Sequence, residues 1–171
     1  MWTVGHSTRP IREFITLLQS AAITIVGDVR RFPGSRRYPQ YNQPALTDTL
    51  AAAGMDYVAL ADLGGRRQPR PDSPHTAWRN PSFRAYADYM DTEAFRQGVD
   101  RIVALTGRGR IALMCSEAVW WRCHRSLIAD YLKIRGYSVI HLLSPTKHEE
   151  HPYTSAARIV HGQLSYASET T

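Results

Sequence analysis

Ile23-Thr24-Ile25-Val26-Gly27-Asp28 runs directly into Val29-Arg30-Arg31, and the fold turns on this stretch. A β-branched, nearly continuous apolar run suits a strand covered on both faces, where neither side has to meet water. Just upstream, Ile11, Phe14, Ile15, Leu18 and Ala22 recur at three- and four-residue spacing, which gives one apolar helical face. Thr8 is placed to cap that helix, with Pro10 in its first turn. Before it, Trp2-Thr3-Val4 is a short apolar run stopped by Gly5. The order is β-α-β.

Working onward, 45–53 reads as a short helix closed by Gly54 and 57–60 as a third strand. Helical pattern returns at 83–90 and again at 93–105, with Thr92 as its cap. Ile111-Ala112-Leu113-Met114-Cys115 reads as a buried strand, 122–134 as a helix closed by Gly136, and 138–142 as the last core strand. Strands alternating with helices predict an α/β fold, a single-domain three-layer sandwich with a mostly parallel sheet. Residues 1–145 are expected to form the α/β catalytic domain. Residues 146–171 are expected to be a C-terminal extension packing on the same domain, with His161-Gly162 at the tip of a small hairpin.

At 171 residues the chain suits one domain, and no apolar run is long enough for a spanning helix. The start carries no signal-peptide pattern, and two cysteines are too few to staple a domain this size. Reduced thiols, a cytoplasmic location, no membrane partner and a monomer are the resulting expectations. The net charge of +6 points to an anionic partner, nucleic acid first. Only Lys133 and Lys147 among the 21 basic residues are lysines, a bias that a G+C-rich coding sequence also produces.

Long loops follow the second and third strands, and in open α/β sheets ligands bind beyond the carboxyl ends of strands. Three strand ends are expected to converge there. The first delivers Gly5-His6-Ser7, the second Asp28-Val29-Arg30-Arg31, and the fourth Cys115-Ser116-Glu117.

The segment from Leu113 to Arg125 is the richest in chemistry. Glu117 is a candidate for activating water or stabilising a developing cation, with helix capping or a salt bridge as the alternative. Trp120 and Trp121 offer flat surfaces for stacking on a base. Cys115, His124 and Arg125 join them as candidates for binding substrate, with Arg125 adding to the anion attraction of a helix start. Arg30 and Arg31 fit an anionic group, and Arg30 also fits a partner for Asp28. His6 is a candidate base and Ser7 a candidate contact. Arg36 and Arg37, with Tyr38 and Tyr41 interleaved, and Arg66, Arg67 and Arg70 fit a nucleic-acid backbone; a solvated loop fits them as well.

For the thiols, a phosphatase-type Cys-x5-Arg loop fails, since Trp121 stands where arginine is needed. Cys115, Cys123 and His124 match no usual zinc spacing and show no fourth ligand, so no metal and no cofactor are expected. A nucleophilic thiol remains open, because Cys123 near a helix start would have a lowered pKa.

Gly5-His6-Ser7, Asp28-Val29-Arg30, Leu63-Gly64-Gly65 and Cys115-x-Glu117 followed by Cys123-His124-Arg125 together resemble domain-of-unknown-function family 488. The resemblance extends from Thr3 to about Leu143 and implies that these blocks meet at one site. Many members of that family carry an acidic or proline-containing linker before Cys-His-Arg, where this chain has Ala118-Val119-Trp120-Trp121-Arg122.

The functional expectation is a DNA-acting hydrolase, a DNA glycosylase excising a modified or damaged pyrimidine in DNA repair. Its substrate is DNA with an extruded or single-stranded base. Asp28 or Glu117 would position water and stabilise an oxocarbenium-like state, while His6, Arg30 and Arg125 bind the departing base or its flanking phosphate. The scarcity of lysine argues against a Schiff-base mechanism. Two alternatives stay open: a thiol-dependent enzyme acting on a small anionic metabolite, and a module that binds a nucleotide or nucleic acid without turnover.

Overall fold

The computed structural model describes residues 1–168. Its main sheet contains β1 (Trp2–Gly5), β2 (Ile25–Asp28), β3 (Asp56–Ala59), β4 (Ile111–Cys115), β5 (Ile140–Ser144) and β6 (Lys147–Glu150). They lie in the order β3-β2-β4-β1-β5-β6. The first five are parallel to their neighbours and β6 is antiparallel to β5. The helices are α1 (Ile11–Ser20), α2 (Gln43–Ala52), α3 (Pro81–Met90), α4 (Glu93–Thr106) and α5 (Arg125–Ile134).

The two-residue period of β4 explains the layers. Ile111, Leu113 and Cys115 join a core cluster with α3, α4 and α5. Ala112 and Met114 join the opposite cluster with Phe14, Leu17 and Leu18 of α1 and Leu46 and Leu50 of α2. The fold is therefore the expected α/β sandwich. The chain leaves β1 toward the α1 face and leaves the adjacent β4 toward the α5 face. That divergence opens a crevice at the carboxyl ends of the two strands, where open α/β sheets bind ligands.

Local details refine the sequence reading. Thr92 caps α4 by accepting a hydrogen bond from the Phe95 N–H at 3.3 Å. Thr8 does not cap α1; Pro10 holds that position without a side-chain bond. The helix expected from Arg122 starts at Arg125, because Trp120–Arg122 forms a 3-10 turn and Cys123 is extended. The last parallel strand lies at Ile140–Ser144, two residues later than expected. β6 was not expected, since Lys147-His148-Glu149-Glu150 has no apolar alternation. A charged sequence suits an edge strand, which has to discourage pairing with other chains.

β7 (Arg158–Val160) and β8 (Gln163–Ser165) form the expected terminal hairpin. His161 and Gly162 turn it with φ of 49° and 76°, the paired left-handed conformations of a tight hairpin. His151, Ala156 and Tyr166 from this C-terminal part are buried in the domain. Residues 169–171 of the expected extension lie outside the described residues. No helix among the described residues is long and apolar enough to cross a membrane.

Candidate functional site

The strand ends are locked together through the backbone. His6 N–H donates to the Cys115 carbonyl at 2.9 Å, Ser7 N–H to Ser116 at 3.0 Å, and Val29 N–H to Met114 at 3.0 Å. Gly5 is required for this approach, because a Cβ there would stand 1.8 Å from the Glu117 carbonyl oxygen. The three ends thus border one cleft of about 620 Å³. Its lining includes His6, Arg30, Arg31, Phe32, Arg66 and Glu117, with Cys115, Cys123 and His124 also on its wall. A smaller cavity of about 430 Å³ lies away from the strand ends, against α3, α4, α5 and β8.

Asp28 is placed differently from its expected catalytic role. It is 1% exposed, and Arg30 grips both its oxygens, Nε to Oδ1 at 2.9 Å and an Nη to Oδ2 at 2.7 Å. The Arg30 N–H and the Tyr57 hydroxyl donate to it as well. A carboxylate so fully engaged has no lone pair to spare for water. It positions Arg30 instead, turning the other Nη toward His6 Nε2 at 3.3 Å.

His6 donates through Nδ1 to the Ser7 carbonyl at 2.8 Å, so Nε2 is the unprotonated nitrogen. Its ring stacks on Tyr41 with centroids 4.0 Å apart. Burial, with help from the Arg30 charge, pushes its pKa down to about 4, against the opposing pull of the Ser7 carbonyl. An imidazole this weakly basic is a poor proton acceptor at neutral pH and a good neutral partner for Arg30. Ser7, in a left-handed conformation at φ 50°, does not line the cleft.

Glu117 is the carboxylate that remains available. It is exposed at the cleft, and among the described residues its carboxylate has no hydrogen-bond or ion-pair partner. The same cleft is lined by Arg31, Arg66 and Arg122. Arg122 was not singled out from the sequence, nor was Phe32, whose ring is 65% exposed beneath the Arg31 guanidinium. Position alone would have flagged both, since each directly neighbours a residue that was chosen.

Neither tryptophan reaches the cleft. Trp120 is buried and stacks on His141 with centroids 4.6 Å apart, and its Nε1 donates to Glu149. Trp121 is 51% exposed but does not line the cavity. The two rings pack edge to face with centroids 5.6 Å apart, and neither lines the cleft where a base was expected to stack.

Arg125 is also displaced from its expected contact with substrate. It is 2% exposed and spends its donors inside, on Cys123 Sγ at 3.3 Å, Thr3 Oγ1 at 3.3 Å and the Glu117 carbonyl at 2.6 Å. Arg67 is spent on the Gly64 and Asp62 carbonyls and stacks on Tyr89, and Arg70 pairs with Asp72. Arg36 and Arg37 are exposed on the loop beside the cleft without lining it.

The thiols form a coupled pair. Burial alone would raise Cys123, yet the hydrogen bond from Cys115 and the Arg125 charge bring it down to about 6. The same bond, donated by Cys115, pushes Cys115 up to about 12, with burial adding to it. A lowered Cys123 was expected from a helix start; α5 begins two residues later, and its neighbours do the work instead.

Behind Arg125 runs a buried chain that the sequence did not suggest. Thr3 Oγ1 lies 2.6 Å from His141 Nδ1, His141 Nε2 lies 2.8 Å from His151 Nδ1, and His151 Nε2 lies 2.8 Å from Asp130. One proton per ring satisfies every link in one direction, from Arg125 through Thr3 and the two rings to Asp130. Thr154 and Tyr166 complete the shell of Asp130.

A family model described as domain of unknown function DUF488 matches residues 10–132. The chain belongs to this family. No curated protein and no solved structure matches it. The DUF488 match spans β2, β4 and the Cys-His-Arg turn, which carry most of the cleft.

Proposed function

We propose that this DUF488 cleft is the active site of a cytoplasmic DNA-acting hydrolase, a DNA glycosylase that removes a modified or damaged pyrimidine. The observation that carries this reading is Glu117, an unpartnered carboxylate at a cleft large enough for a base and rimmed by Arg31, Arg66 and Arg122. Arginines supply the attraction for the phosphate backbone. Phe32, in place of the tryptophans, offers the exposed ring for stacking beside an extruded nucleotide. Glu117 takes a proton from water as the water oxygen bonds to C1′ and the C1′–N bond breaks. The departing base, met by the fixed guanidinium of Arg30, finally receives that proton.

The test is incubation with oligonucleotides carrying a panel of modified pyrimidines, followed by cleavage at abasic sites. Strand scission by the wild type on at least one base supports the reading; none on any base counts against it. A second reading is favoured by one observation, the Cys123 sulfur held by Arg125 Nε and by its N–H at 3.5 Å. It makes Cys123 a nucleophile toward a small anionic metabolite. Loss of activity in Cys123→Ser together with full activity in Glu117→Gln would favour that alternative.

A further inference from the structure

Cys115, Cys123 and His124 come from two separate segments, the end of β4 and the turn before α5. No regular spacing joins them, yet one ligand atom of each lies within 4.8 Å of the others. From this convergence we infer that the three residues form a binding site for a zinc ion, with its fourth position open to the cleft.

The distances fit. A tetrahedral zinc with Zn–S of about 2.3 Å and Zn–N of about 2.05 Å holds sulfur and nitrogen about 3.6 Å apart. Cys123 Sγ and His124 Nδ1 stand 3.7 Å apart. The ring is also set in the required tautomer. His124 Nε2 lies 3.0 Å from the Val29 carbonyl oxygen, which can only accept, so Nε2 carries the proton. Nδ1 is left with a free lone pair facing the thiols. A ligand histidine whose far nitrogen is tied to a backbone carbonyl is the usual outer support of a metal site. Gly65 keeps that nitrogen uncovered, because a Cβ there would lie 3.2 Å from it.

Two thiols and one imidazole are a soft donor set, which selects zinc over magnesium or calcium. All three residues line the cleft, so a substrate atom or a water reaches the fourth position. Three protein ligands with one open place is the arrangement of catalytic rather than structural zinc. Each thiol still protonated releases its proton to solvent on binding. The two thiolates then cancel the charge of the ion, so buried Arg125 meets no net positive centre.

The inference goes beyond the glycosylase reading and needs no nucleic acid for its test. The full chain, reduced and stripped with chelator, is titrated with zinc by calorimetry and with cobalt by absorption. One ion per chain and a sulfur-to-cobalt charge-transfer band in the near ultraviolet are expected. Cys115→Ser, Cys123→Ser and His124→Asn, each checked for native circular dichroism, should weaken binding by about 100-fold or more. His124, only half-buried, gives the variant least apt to disturb folding. Absence of stoichiometric binding by the wild type overturns the site. So does binding that survives His124→Asn, or isolation of a Cys115–Cys123 disulfide that persists under reducing purification.

Discussion

Acidification from about pH 7.5 to about pH 5 should destabilise this protein. Two buried histidines are responsible. His6 is lowered from the ordinary 6.5 to about 4, chiefly by burial. His141 is lowered to about 2 by burial, by neighbouring His151 and by Arg125. In the unfolded chain both rings take up a proton as pH falls through 6.5, while in the folded chain neither does so until near its own depressed value. The stabilisation is therefore complete above that ordinary value and is lost on the way down. By proton linkage each ring removes about 2 kcal/mol at about pH 5. Together they remove about 4 kcal/mol, a large part of the roughly 5–15 kcal/mol of a typical domain. Urea unfolding followed by tryptophan fluorescence at the two pH values measures the loss. His6→Asn, which keeps a donor toward the Ser7 carbonyl but cannot titrate, should shrink it by about half. An equal loss in the wild type and His6→Asn would refute the reasoning.

Other expectations follow from single contacts. Asp130→Asn should destabilise by about 3 kcal/mol in urea unfolding, since the carboxylate accepts from His151, Thr154 and Tyr166 in a fully buried site. Gly5→Ala should cost about 3 kcal/mol or prevent folding, because the new methyl meets backbone rather than a side chain that can move away; a melting temperature equal to wild type would contradict this. In metal-free protein, Cys115→Ala removes the S–H donor to Cys123. The midpoint of the pH dependence of Cys123 alkylation should then move up from about 6.

The fold was legible because its signals are local. Apolar runs at Trp2–Val4, Ile25–Asp28 and Ile111–Cys115, punctuated by helical spacing, were enough to give layers, parallel strands and a crevice at their ends. β6 escaped because an edge strand of Lys, His and Glu has no apolar face to announce it. The cleft was legible as three strand ends, but the side chains within it were not. Whether a polar side chain is free or spent depends on its full set of partners: Asp28 is gripped by Arg30 two residues on and closed off by Tyr57 far along the chain, and Arg125 is spent in part on Thr3. The Cys115, Cys123 and His124 cluster was set aside for its spacing, since a strand end and a turn met only through folding. The Thr3-His141-His151-Asp130 chain links four segments, and nothing short-range in the sequence betrays it.

Single-turnover release of a modified pyrimidine from DNA, by wild type and Glu117→Gln at matched DNA occupancy, bears most directly on the role given to the cleft. The account predicts release by the wild type and a fall of about 100-fold or more in the variant with DNA binding retained. Equal release rates would remove Glu117 from the chemistry, and no release by the wild type from any modified base would contradict the glycosylase reading itself.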